Sequence, residues 1–179
     1  PITTGFTGSV KYGSTAAEQL GCVDDAGGTP YAAGYFDGQV ALIDRGVCAI
    51  SMKVHNAAEA GAIGVLIADN VAGEAPSFSF GGPDPFTAQQ TLIIGQEHGA
   101  TIKGQLAAGV TVAVDPADAV PLIGTMVSTS SRGPSMSFDA IKPEIGAPGA
   151  SVSAEAGTGT GETAFGGTSG AAPVVAEVA

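Results

Sequence analysis

The chain has 179 residues, enough for one large domain or for one domain and part of another. Six Lys+Arg against 17 Asp+Glu give a formal net charge of -11, so no basic stripe exists to neutralise phosphates, and neither nucleic acid nor an acidic membrane surface is an expected partner. With 44% hydrophobic residues, 6% aromatics and no tryptophan, Ala, Val and Ile must fill most of the core, while 28 glycines spread along the chain mark many tight turns.

The opening PITTGFTGSVKYG has no charged stretch followed by an apolar one, so no signal peptide is expected there. A mature secreted protein would lack one as well, so this decides no compartment. No apolar run approaches the roughly 20 residues of a transmembrane helix. Cys22 and Cys48 fit no zinc spacing and form no Cys-x-x-Cys. They are either one disulfide, closing a loop of about 25 residues and worth ~3 kcal/mol in the chain-entropy model, or two buried thiols.

QVALI (39–43), bounded by Asp37-Gly38 and Asp44-Arg45-Gly46, reads as a buried strand. From Cys48 the period changes: Ile50, Val54, Ala57, Ala58 and Gly61 recur at helical spacing. GAIGVLIAD (61–69) is again a continuous apolar run, the signature of a strand buried on both faces. Strand, helix and strand over about 30 residues predict a right-handed βαβ unit. The pattern recurs more weakly in TLIIG (91–95), QEHGATIKGQLAAG (96–109) and VTVAV (110–114), with Ile102 and Leu106 four apart and Gly109 as a helix C-cap. Between the two units lies a Gly/Pro/Ser-rich loop of about 20 residues, a length usually tied to function or motion. After residue 119 the character shifts. PLIGTMVSTSSRGPS predicts a strand running into a turn, and KPEIGAPGASVSAEAG a short extended piece with Pro143 and Pro148.

Two resemblances follow from these motifs. Residues 20 to 114 resemble the protease-associated domain, through Gly38-Gln39-Val40-Ala41-Leu42-Ile43, then Asp44-Arg45-Gly46-Val47-Cys48, then Lys53-Val54-x-Asn56-Ala57-Ala58-x-Ala60-Gly61-Ala62, with Gly99 also in place. This resemblance implies a Cys22–Cys48 disulfide and hence an oxidising compartment. Residues 120 to 179 resemble the C-terminal part of the subtilisin-like serine protease domain. Three blocks carry that likeness in family order: Ser130-Ser131-Arg132-Gly133-Pro134, Lys142-Pro143-Glu144-Ile145-x-Ala147-Pro148-Gly149, and Gly167-Thr168-Ser169-x-Ala171-Ala172-Pro173. Many such proteases carry the protease-associated domain between their catalytic His and Ser. Gly170 stands where the family usually has Met, and Val174 where it usually has His.

The last block has its own chemistry. Glycines before Ser169 allow a tight turn, and Pro173 suits the first turn of a helix. Ser169 then sits at a helix N-terminus, where free N–H groups favour an oxyanion. The Gly-x-Ser-x-Gly elbow of α/β-hydrolases is rejected, because GTGTGETAFG supplies no apolar strand before the serine. A serine needs a base and a group to orient that base. His55, on the first helix, and His98, at the start of the second, read as ordinary solvated side chains, and the family's Asp motif is absent. The only asparagines, Asn56 and Asn70, lie in the first module, so the side-chain oxyanion donor is missing as well.

Bland readings cover the remaining features. Asp24-Asp25 and Asp84 lack calcium-loop spacing and read as solvated turns. Asp69-Asn70 reads as a turn, Arg132 as a structural charge, and Phe78, Phe80 and Phe86 as a small loop cluster.

The sequence therefore predicts a mixed α/β chain: a protease-associated domain over residues 1–119 with a barrel-like sheet and flanking helices, then over 120–179 part of a subtilisin-like domain carrying the catalytic Ser169. The expected function is that of a fragment of a secreted serine endopeptidase, inactive by itself. Its module would tune substrate access or assembly, with protein or peptide substrates and self-association as partners, and no metal or cofactor. The alternative is a non-catalytic protein-interaction module.

Overall fold

A computed structural model describes residues 4–73, 75, 90–121, 125–126, 130–134, 136, 139, 142–154 and 157–178, with the backbone alone at 150–154 and 163–166. The chain divides into two compact units, the first comprising Pro1–Ala75 and Phe80–Pro121, the second Pro76–Ser79 and Leu122–Ala179.

The first unit is built on a five-stranded sheet. In chain order its elements are β1 (Phe6–Tyr12), α1 (Ala16–Leu20), β2 (Val40–Asp44), α2 (Ile50–Glu59), β3 (Gly64–Ala68), β4 (Thr91–Ile94), α3 (Gln96–Gln105) and β5 (Thr111–Val114). A short 3-10 turn, Leu106–Ala108, follows α3, and a second, Pro116–Asp118, follows β5. The strand order is β4-β3-β2-β1-β5. β1 to β4 run parallel, with Val10 opposite Val40, Leu42 opposite Leu66 and Leu66 opposite Leu92.

The apolar runs are continuous because both faces of the sheet are covered. Ala41, Ile43, Val65 and Ile67 project to one side and pack with Ile50, Val54 and Ala57 of α2 and with Tyr31 and Phe36. Val40, Leu42, Leu66 and Ala68 project to the other, where they meet Phe6 and Val10, together with Ile102 of α3 and Leu106 just after it. Each such side chain, once buried, contributes about 1.5–3 kcal/mol. Two glycines permit close approach. A Cβ on Gly64 would lie 2.6 Å from the Phe6 ring, and one on Gly99 would lie 2.7 Å from Ala68 Cβ, where α3 meets β3.

The expected β2-α2-β3 unit forms as a parallel crossover. The weaker repeat does not. β5 returns to the opposite edge of the sheet and pairs antiparallel with β1, Phe6 opposite Val114 and Gly8 opposite Val112. The turn after α3 and the short β5 carry no information about this distant partner. Among the described residues the sheet is mixed, with β4 and β5 at its edges and helices on its faces, in keeping with the mixed α/β fold expected.

The second unit contains β6 (Ala150–Ala154), β7 (Glu162–Gly166) and α4 (Thr168–Val178). The two strands form an antiparallel pair, Ala150 opposite Gly166 and Val152 opposite Ala164. The strand expected in PLIGTMVSTSSRGPS falls largely outside the described residues, as do Asp84, Phe78, Phe80 and Phe86.

Candidate functional site

Ser169 is the second residue of α4, directly after the turn at Gly167, whose φ is 89°. That left-handed backbone suits glycine and lets β7 turn sharply into the helix. Gly167 O accepts from both Gly170 N at 3.0 Å and Ala171 N at 3.3 Å. Among the described residues no acceptor is bonded to the N–H groups of Thr168 or Ser169, which leaves the serine's own N–H free to meet an anion. Ser169 is exposed, while Gly170, which stands where the resembled family usually has Met, is buried.

Two expectations need correction. Pro173 lies inside α4, beyond its first turn. It stands four residues after Ser169 and has no N–H, so the Ser169 carbonyl receives no ladder bond from it. A strand does precede the serine: β7 is formed by ETAFG, although it pairs antiparallel in a two-stranded ribbon and not in the parallel sheet of a hydrolase elbow. Both histidines belong to the first unit, so the second unit contains no imidazole.

In the first unit the carboxyl ends of the parallel strands gather polar side chains. Tyr12, ending β1, donates its hydroxyl to Asp44 Oδ2 at 2.7 Å, and Lys103 of α3 pairs with Asp44 Oδ1. The Lys103 ammonium also lies 4.6 Å from the centre of the Tyr12 ring. Burial and the bond to Asp44 push the Tyr12 phenol up. Burial works against the Lys103 ammonium, but Asp44 and Tyr12 carry its pKa above the ordinary lysine value. Alongside, Arg45 Nη1 meets the buried Asp69 Oδ1 at 2.7 Å, and that oxygen also accepts from Asn70 N and Val71 N. Burial pushes the Asp69 carboxyl up, yet Arg45 and the two N–H groups hold it below the usual range. Both Asp44 oxygens are engaged, so this cluster locks α3 and two loops to the strand ends; it offers no nucleophile with a base.

Cys22 and Cys48 form a disulfide. It joins the segment after α1 to the Arg45–Cys48 turn, where Cys48 N donates to Gly46 O at 2.9 Å and Val47 adopts a φ of 66°. A left-handed β-branched residue is uncommon, and Val47 is 88% exposed. Beneath the disulfide, Lys53 of α2 is fully buried and donates to Leu20 O. Asn56 Nδ2 donates to Gly21 O at 2.9 Å. His55 of α2 departs from expectation in part: the residue is half-buried, and its Nδ1 is enclosed with no hydrogen-bond partner among the described residues. His98 is exposed, and Asp24 forms a turn by accepting from Ala26 N and Gly28 N.

The sequence pattern described as the PA domain matches residues 6–102, more than half of the chain. The chain belongs to the PA domain family. That match spans β1 to most of α3, so β1 to β4, the disulfide and the Arg45–Asp69 pair lie within it, while Lys103 and β5 lie just beyond. The minor extracellular protease Vpr of Bacillus subtilis is 34% identical over 116 residues, which cover 64% of this chain and 14% of that protein. Among solved structures, an aminopeptidase from Aneurinibacillus sp. strain AM-1 is 28% identical with a TM-score of 0.45, covering 62% of this chain and 24% of that one. BSAP, a zinc aminopeptidase from Bacillus subtilis, is 24% identical with a TM-score of 0.40, over 61% of this chain and 23% of that one. The chain thus spans a small part of each of these relatives. No described helix is long and apolar enough to cross a membrane.

Sequence reasoning placed the Cys22–Cys48 pair and the helix after Ser169, but it missed the ion-paired Asp69 and the buried Lys53. For Lys53 a signal existed: it lies three residues from Ile50 and from Asn56, in line with the apolar stripe of α2.

Proposed function

We propose that the chain is the part of a secreted subtilisin-like serine endopeptidase that carries its PA domain and its nucleophile, Ser169. The observation that carries this reading is the order of three motifs, Ser130 to Pro134, Lys142 to Gly149 and Gly167 to Pro173, the last containing Ser169 in the first turn of α4. The name of the Bacillus subtilis relative, an extracellular protease, supports both the activity and the location.

In this reading Ser169 Oγ attacks the scissile carbonyl, and the serine's own N–H helps to hold the oxyanion that forms. The base and the carboxylate that orients it come from chain outside residues 1–179. The PA domain, whose described residues hold no nucleophile–base pair, tunes access of protein or peptide substrates, or assembly of the enzyme with itself.

A fluorophosphonate probe tests this. The 179-residue chain should stay unlabelled, whereas a longer chain bearing an upstream Asp and His should label at Ser169 and lose the label in Ser169→Ala. Full peptidase activity of Ser169→Ala in that longer chain would overturn the assignment.

A further inference from the structure

Lys53 is a charge without an evident purpose. It is among the largest fully buried side chains of the first unit, and none of the chemistry above uses it. Its Nζ donates to Leu20 O and lies 3.5 Å from Cys22 Sγ. A carbonyl and a divalent sulfur satisfy donors but do not neutralise a cation. The carboxylate acting on it is Asp44, which is itself engaged by Tyr12 and Lys103. Among the described residues the ammonium therefore carries a desolvation cost with no anion in contact.

One event would place an anion there. Cleavage of the disulfide with the electron pair going to Cys22 creates a thiolate directly against Lys53 Nζ. The other sulfur belongs to Cys48, half-buried in the turn that carries the exposed Val47. Cys48 immediately precedes Ala49, the N-cap of α2, so the helix terminus favours a thiolate at Cys48 by the equivalent of about half a charge. Lys53 offers Cys22 a whole charge in a buried place, and the whole charge decides the direction.

We propose that Cys22–Cys48 is a thiol–disulfide exchange site for an external dithiol, and that Lys53 positions Cys22 as the leaving sulfur. A thiolate of the dithiol attacks Cys48 Sγ, the S–S bond breaks, and Cys22 departs as a thiolate beside the ammonium. The second thiol of the reductant, deprotonated, then attacks the mixed disulfide and releases Cys48, which takes up a proton. The dithiol is oxidised to its disulfide by two electrons and gives up two protons, one ending on Cys48 and the other in solvent. Lys53 is a positioning residue: it forms no bond to sulfur.

Two measurements on the 179-residue chain test the proposal. Brief exposure to glutathione, an acid quench and alkylation in denaturant should place glutathione on Cys48 and the alkyl group on Cys22. Glutathione on Cys22, or an even split, overturns it. At equilibrium with a dithiothreitol redox couple, Lys53→Met should favour the disulfide by about tenfold or more over wild type, a shift of roughly 30 mV. An unchanged constant overturns the role of Lys53. Should Lys53→Met fail to fold, Lys53→Gln replaces it, and the glutathione mapping on wild type stands regardless.

Discussion

The two units are held together in different ways. The first encloses a sheet covered on both faces, with Phe36, Val40, Leu42, Ile43, Val65 and Ile67 at or near zero exposure. In the second, Gly170 is the buried residue of α4, while Met126, Met136, Ile145, Val174 and Val178 are all exposed. A sheet with apolar side chains above and below makes its own interior. Among the described residues the second unit shows a two-stranded ribbon and one helix, and such a ribbon by itself has a single face to bury.

The sharpest way to break this comparison is to cut into each unit. Phe36→Ala should cost about 3–5 kcal/mol in urea unfolding, because the ring is fully enclosed and edge-packed against Tyr31 and Tyr35. Val174→Ala, on the helix of the second unit, should stay within about 0.5 kcal/mol. Equal losses would mean that the second unit has a core comparable to the first.

A smaller effect tests how far burial in the first unit reaches charged groups. Burial lowers the Lys53 ammonium to about 8 from 10.5, with Asp44 opposing the shift. Below the folded value both states hold the proton. Between about 8 and 10.5 the unfolded chain keeps a proton that the folded chain has released, so stability owed to this residue rises with pH across that window. The unfolding free energy of wild type relative to Lys53→Met should therefore move in favour of wild type from about pH 7 to about pH 10. A flat difference would show that the side chain is hydrated.

The smallest effect is local. The side chain of Ser14, then the backbone of Thr15, hold Glu18 at about 2. Ser14→Ala should raise the Glu18 value toward the ordinary carboxylate range, read from its side-chain carbon shift in an NMR titration, and leave the core signals in place. An unmoved titration would show that the α1 capping box holds the carboxylate without the serine.

Legibility in the sequence followed the range of the interactions. β2, α2 and β3 could be read because their apolar pattern is local and nearly uninterrupted. β1 escaped notice because FTGSVKY offers only Phe6 and Val10 as fully buried anchors among polar neighbours. α1 has just five residues, yet Thr15-Ala16-Ala17-Glu18 is a capping box and could have been read. The placement of β5 depended on a partner about a hundred residues away, which no local period encodes. At the serine, motif order located the helix, whereas the position of Pro173 within it followed from where β7 ended and the Gly167 turn began. The Asp69 ion pair and the Lys53 burial arise from tertiary packing that makes polar residues on apolar elements face inward.

The pairing of β1 with β5 has a mechanical consequence. Phe6 and Val114 stand opposite one another, so the first strand of the sheet begins and the last strand ends side by side, one interstrand spacing apart. A pull applied to both ends would act across the β1–β5 ladder, opening its bonds one after another, and would reach the parallel strands only when that ladder had parted. Whatever is joined to the two ends of this sheet is therefore attached at adjoining points, without those points being forced apart.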